Sequence, residues 1–256
     1  MINEYLQPSI SNSDAVSIIK EKIRTNTPFA FTRFGDGEIH MINKNGYENF
    51  EKTVCRQWGY KYPDEIQLSY EEFGEVLKTS FIKSDLIGLM DKNCDIINLN
   101  YNPEHWSLKK DLVSSWGVDV NNLQICDHML SRQKIFGSVD SFKEILQGNS
   151  LNIITPYVKR MEERNLSRLL GVDVTYTLNP ENINLNNRDS VLKSFEKIES
   201  PVVIMGVGLL KDYGVILRDE FGKIALDMGA TMDAWSGILS RSWFGEGNKQ
   251  DYLVIK

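Results

Sequence analysis

Between residues 151 and 227 the chain repeats one pattern, a short aliphatic and β-branched run followed by a longer stretch with helical spacing. Residues 151–155, 172–177, 201–205 and 223–227 read as strands, and residues 158–170, 188–198 and 209–221 as helices between them. Strands separated by helices of this length cannot pair through a tight hairpin. Each returns across a sheet face, which gives βαβ units and a parallel sheet. The predicted fold is α/β and Rossmann-like, with a mostly parallel sheet flanked by helices.

The first half follows the same grammar less regularly. Asn12 and Ser13 precede Val16, Ile19 and Ile23 at helical spacing, and Thr27-Pro28 ends that helix before the strand candidate Phe29-Ala30-Phe31 and a loop over Gly35-Asp36-Gly37. Ser69 and Glu72 form a capping-box pattern ahead of Phe73, Val76 and Leu77, predicting a helix that ends near Ser84. Residues 86–89 and 96–99 are short strand candidates, and Asn102-Pro103 suits the start of a helix carrying Leu108, Leu112 and Val113. The Asn-rich stretch 179–187 reads as a mobile loop. No repeat, low-complexity tract or linker divides the chain, so residues 1–256 are expected to form one domain.

In open α/β sheets ligands bind outside the carboxyl ends of the strands. The polar and glycine-bearing strand ends here are Gly35-Asp36, Thr155-Pro156, Gly206-Val207-Gly208 and Asp227-Met228-Gly229. Asp36 and Glu38 are two carboxylates one glycine apart, directly after an apolar run, with Arg33 beside them and Gly35 and Gly37 leaving room for a ligand. Hard divalent cations take oxygen ligands of this kind and bridge them to substrate phosphates. A bare Asp-Gly-Glu is as readily a surface turn; its position and flanks favour the ligand site. Gly206 and Gly208 would let the backbone approach an anion at a helix N-terminus or simply form a tight strand-to-helix turn, since Lys211 stands where the third glycine of G-x-G-x-x-G would be. Asp227 ends a predicted buried strand and either faces the crevice or caps a helix. Asp233 lies near Trp235, Arg241 and Trp243, residues that stack on a sugar or base or else pack against a sheet edge.

Other chemistries are disfavoured. A formal charge of −6, with only the isolated basic pair Lys109-Lys110, argues against nucleic acid as a partner. Cys55, Cys94 and Cys126 are odd in number and show no metal-ligand spacing, which reads as reduced thiols in a cytoplasmic protein. His40, His105 and His128 form no zinc pattern and read as ordinary surface or core residues, with Asp127-His128, ending the apolar stretch 123–126, a secondary candidate for a base or substrate contact. The N-terminus does not read as a leader and no run of ~20 apolar residues is present, so the only membrane association expected is peripheral contact at the inner face.

The segment Arg33-Phe34-Gly35-Asp36-Gly37-Glu38 resembles the R-[FY]-G-D-G-E motif of bacterial GT-D-type glycosyltransferases, a family first catalogued as a domain of unknown function. Gly222 to Gly229, running on to Asp233, resembles that family's strand followed by D-[IL]-G and a later Asp. The resemblance implies a Rossmann-like enzyme whose D-x-E motif, here Asp36 and Glu38, holds Mn2+ or Mg2+ and the diphosphate of a UDP-sugar. Arg33, Gly35, Gly206 and Gly208 would complete the nucleotide-sugar site. Asp233 is the first candidate base, with Asp227 beside it. The transferred group would be a hexose or N-acetylhexosamine and the acceptor a glycan, glycopeptide or lipid-linked chain, as in surface-polysaccharide assembly or protein glycosylation. Three alternatives stand beside this reading: a methyltransferase holding its cofactor at Gly206-Val207-Gly208, a metal-dependent phosphohydrolase, and a non-catalytic UDP-sugar-binding module.

Overall fold

The computed structural model describes residues 4–43, 70–90, 107–179, 185–208, 210–235 and 237. Seven strands form one sheet: β1 (Phe29–Arg33), β2 (Leu86–Leu89), β3 (Ile125–Asp127), β4 (Leu151–Thr155), β5 (Val174–Leu178), β6 (Val202–Met205) and β7 (Ile224–Asp227). Neighbours pair in parallel throughout, in the order β3-β2-β1-β7-β6-β4-β5. The α/β, Rossmann-like expectation is met, with helices on both faces.

Those helices are α1 (Asn12–Arg24), α2 (Asp36–Asn43), α3 (Tyr70–Lys83), α4 (Lys110–Ser115), α5 (Lys134–Gly137), α6 (Val139–Leu146), α7 (Val158–Glu163), α8 (Leu166–Leu170), α9 (Leu185–Ser194), α10 (Asp212–Phe221) and α11 (Ala230–Trp235). Successive strand side chains point to opposite faces, and each face has its own core. On one face Phe29, Phe31, Ile153, Ile204 and Leu226 pack with Ile19 and Ile23 of α1, Phe142 of α6, Met161 of α7 and Met232 of α11. On the other, Ile87, Ile154, Val203 and Ala225 pack with Ile39 of α2, Phe73 and Phe81 of α3, and Tyr213 and Leu217 of α10. Burying one such side chain contributes roughly 1.5–3 kcal/mol, so the two faces rather than helix propensity hold the layers together.

Several expected boundaries shift, for identifiable reasons. The Asp36-Gly37 segment is helical rather than a loop: α2 starts at Asp36 because Ile39, Met41 and Ile42 bury their side chains against the core. The stretch 158–170 is two helices, since Asn165 adopts a left-handed conformation (φ 51°) and its side chain accepts the Arg168 N–H as a new cap. Helix α1 includes Asn12 and Ser13, with Ser11 as its cap. Helix α4 begins at Lys110, which leaves Leu108 ahead of it. Helix α9 starts at Leu185, inside the expected 179–187 loop, and gives way to a 3-10 turn at Phe195–Lys197. Helix α10 starts at Asp212, with Lys211 at its N-cap. The strand candidate 96–99, the Ser69 cap, Asn102-Pro103, Arg241, Trp243, His105, Cys55 and Cys94 lie outside the described residues, as does the side chain of His40.

One consequence of the strand order positions the site. Strands β1 and β7 are hydrogen-bonded neighbours, with Phe31 opposite Leu226. The chain leaving β1 enters α2 on one face, whereas the chain leaving β7 enters α11 on the other. Neighbouring strands whose exits diverge leave a crevice at their carboxyl ends, the general ligand position of open α/β sheets. Arg33 ends β1 and Asp227 ends β7.

Candidate active site

Four charged side chains meet in that crevice: Arg33, Glu38, Lys211 and Asp227 are 6%, 4%, 5% and 0% exposed. Lys211, between β6 and α10, places Nζ 2.7 Å from Asp227 Oδ2 and 3.0 Å from Glu38 Oε1. Asp227 Oδ2 also accepts the Arg33 backbone N–H at 3.2 Å. The Arg33 Nε lies 3.9 Å from Asp227 Oδ1, and its Nη1 donates to Ser131 Oγ. Two cations and two carboxylates balance, as a buried cluster must, because an unpaired charge in this environment costs several kcal/mol. Burial disfavours the Lys211 ammonium, but Asp227 and then Glu38 outweigh it and raise its pKa above the ordinary value.

Glu38 has a second task. It is the third residue of α2, and its Oε2 accepts the Gly35 N–H at 3.0 Å, the returning half of a capping box. The carboxylate is therefore held at a fixed angle, one oxygen on the helix cap and the other on Lys211. Gly35 faces this spot: a Cβ there would lie 3.4 Å from Glu38 Oε2 and 3.7 Å from His128 Nε2. Asp36 opens the helix, and its side chain is outside those described.

The two resembling segments, from opposite ends of the chain, are parts of one assembly. Gly229 has φ 51°, and a Cβ on it would sit 2.6 Å from Arg33 Nη2. The glycine of Asp227-Met228-Gly229 is thus favoured both by its left-handed backbone and by the guanidinium that crosses it. Gly206 backs onto the same turn, where a Cβ would lie 2.6 Å from Met232 Cε and 3.6 Å from Gly229 O, and Gly208 takes a left-handed φ of 56°. Each of these positions favours glycine, one for space and the other for its backbone. Asp233 is half-buried on α11, the helix that leaves from β7.

Trp235 is core rather than a stacking platform. Its ring lies 5.1 Å from Phe142 and its Nε1 donates to Gly137 O at 2.8 Å. Asp127 caps the 3-10 turn His128–Arg132 by accepting the Met129 N–H at 2.9 Å, which fixes His128 and Ser131 beside the cluster. Burial first, then Arg132, Arg33 and Lys211, push the His128 pKa far below its ordinary value and keep the imidazole neutral. Burial likewise pushes the Cys126 thiol up, away from nucleophilic chemistry. A cavity of about 950 Å³ lies elsewhere, on β4 and β5, lined by Asn152, Thr175, Thr177 and Ser194. Its Asn152 amide is bonded to both threonines, and the charged groups of the crevice are absent from its lining.

Sequence reasoning missed Lys211 as a site residue, although a charged residue beside a glycine-bearing strand end was a usable signal. Ser131 carried none, because its place is set by a 3-10 turn after a three-residue strand. Among the described residues no three His, Cys, Asp or Glu side chains gather as a metal cage. A cation shared with a diphosphate needs only one or two protein carboxylates. Glu38 and Asp227 fit that demand: both offer hard oxygens around one point, and Asp227 Oδ1 is buried with no hydrogen-bond partner among the described residues. Among the described residues no helix is long and apolar enough to cross a membrane.

Comparisons with known proteins agree with this architecture. The family model of the GT-D fold-like domain matches residues 10–235. A glycosyltransferase containing domain of unknown function 1792 from Streptococcus sanguinis superposes with a TM-score of 0.60 at 17% identity, covering 94% of this chain and 86% of that one. A structure of the same domain, described as having a distinct glycosyltransferase fold, gives 0.56 at 18% identity, with 94% and 82% covered. A search of the curated proteins finds no match.

Proposed function

Because the chain belongs to the GT-D fold-like family, we propose that it is a metal-dependent glycosyltransferase that moves a hexose or N-acetylhexosamine from a UDP-sugar to a glycan, glycopeptide or lipid-linked acceptor. Bacterial surface-polysaccharide assembly or protein glycosylation, on the cytoplasmic side of the membrane, is the setting that suits such substrates. The observation that carries the reading is the convergence of Arg33, Glu38, Lys211 and Asp227 where β1 and β7 diverge. Buried ion clusters contribute little net stability compared with an apolar core of the same volume. Keeping four buried charges where β1 and β7 diverge suits a ligand that is itself charged.

Breaking the bond between the anomeric carbon and phosphate builds negative charge on the departing diphosphate. Asp36 and Glu38, with Asp227 in the same cluster, would hold Mn2+ or Mg2+, which would supply positive charge to that group. The chain's own residues do the rest. Arg33 and Lys211 bring N–H donors and positive charge to the crevice, balanced in the unliganded chain by Glu38 and Asp227, and the first turn of α2 offers backbone N–H groups at the favourable end of its dipole. Gly35, Gly206 and Gly208 let the backbone approach the ligand. Asp233, partly exposed, is the proposed base for the acceptor hydroxyl. Asp227, fully buried, serves through the two cations that it holds rather than by touching the acceptor.

The test is calorimetric titration of UDP with and without Mn2+ into the full chain and into Asp36→Ala and Glu38→Ala. Metal-enhanced binding that both substitutions abolish is expected; binding indifferent to metal and to both substitutions would sink the site. Release of UMP and sugar 1-phosphate without any acceptor would favour a phosphohydrolase, and binding without turnover a non-catalytic module.

A further inference from the structure

Lys211 sits where a bound cation would sit. Its nitrogen bridges carboxylates carried by two different elements, Glu38 on α2 and Asp227 on β7, within ordinary hydrogen-bond distance of each. The carboxylates offered to that point are oxygen donors, which suit hard divalent ions. Asp227 Oδ1 is buried and accepts no hydrogen bond among the described residues, with Arg33 Nε standing off at 3.9 Å. Glu38 is already oriented by its bond from Gly35 N–H, which a metal would not need to break.

We propose that Glu38 and Asp227 form an interior cation site that the chain fills with its own Lys211 ammonium, so that Lys211 and a divalent ion compete for Glu38. The inference rests on the proposed function only in taking Glu38 as a metal ligand. It makes Lys211 a positioning residue: it aligns the two carboxylates in the absence of ligand, raises the metal concentration needed to engage Glu38, and leaves one resident positive charge when metal is scarce. A divalent ion engaging Glu38 would release the ammonium from Glu38 Oε1 and leave it on Asp227 Oδ2.

The experiment uses the full chain and MnCl2 alone, without nucleotide, and reads thermal melting and calorimetric Mn2+ binding. Lys211→Met removes the ammonium and leaves two carboxylates short of a cation, so in EDTA the variant should melt below wild type. Saturating Mn2+ should restore it by about 5 °C or more while moving wild type by less than about 2 °C. Calorimetry should show Mn2+ binding about tenfold tighter to K211M than to wild type, following removal of the competitor. Glu38→Gln, which keeps the cap but not the charge, should abolish both gains in the double variant K211M/E38Q.

An equal Mn2+ response in wild type and K211M overturns the proposal, as does a gain that survives in K211M/E38Q. A K211M chain that fails to fold in EDTA and stays unfolded in Mn2+ overturns it too, because the ion then cannot take the ammonium's place. The two readings fail separately. If Asp36→Ala and Glu38→Ala still abolish Mn2+-dependent UDP binding while K211M responds to Mn2+ like wild type, only the competition is refuted.

Discussion

Replacing Gly229 with alanine adds one carbon where the two ends of the chain meet. Two costs follow from the geometry. Gly229 has φ 51°, and holding alanine in that left-handed region costs roughly 1–2 kcal/mol. The new Cβ would also lie 2.6 Å from Arg33 Nη2, so the guanidinium must withdraw from Asp227 and Ser131. Complete rupture of a buried ion pair costs about 3–5 kcal/mol, and a partial displacement takes a fraction of that. The sum is about 2–4 kcal/mol, or a fall in melting temperature of roughly 5–15 °C for a chain of this size. Urea unfolding of wild type, G229A, R33K and the double variant separates the two costs. Lysine lacks the Nη2 atom that the new carbon meets, so in the R33K background only the conformational cost should remain, leaving a coupling of about 1–2 kcal/mol. An alanine that costs the same in both backgrounds would show that Arg33 does not constrain Gly229.

Two further substitutions probe the surroundings of the site. His128 is held neutral in the folded chain, so as pH falls below 6.5 the unfolded chain takes up a proton that the folded one refuses. Its contribution is intact above pH 6.5 and is lost below it at up to about 1.4 kcal/mol per pH unit, and His128→Gln should flatten the stability curve there. Matching slopes for wild type and variant between about pH 6.5 and 5 would contradict a buried neutral imidazole. Trp235→Phe keeps an aromatic ring beside Phe142 but strands the Gly137 carbonyl, at a cost of about 1–3 kcal/mol in denaturant unfolding. UDP affinity should not change; a variant that loses donor affinity at full stability would make the indole a ligand contact.

What could be read from the residues in order was what local physics controls. Period-two and 3.6-residue spacings do not depend on distant parts of the chain, so 151–155, 86–89 and the carboxyl end of β7 were legible, whereas β1 runs past the expected Phe29-Ala30-Phe31 to Arg33. Boundaries failed where a single residue or a distant contact decided them. Asn165 carries no periodicity signal yet splits a helix through its left-handed backbone. Asp36-Gly37-Glu38 reads as a turn by propensity, and becomes helical because Ile39 and Met41 have a core to enter.

The candidate site divides the same way. Arg33, Glu38 and Asp227 were each recognisable from type and position at a strand end. Their meeting was not, since Arg33 and Asp227 are 194 residues apart and come together only because β7 inserts beside β1. Strand order is set by which faces bury the most apolar surface, a property of the whole sheet that no window of residues contains. Lys211 shows the limit most clearly: its charge was visible beside a glycine turn, but its role depends on two carboxylates arriving from other elements. Residue order carries the class of fold, the strand ends and the side-chain types able to handle a charged ligand. Which of those charges face one another follows from the assembled sheet, because buried electrostatics depends on distances between elements that local spacing does not encode.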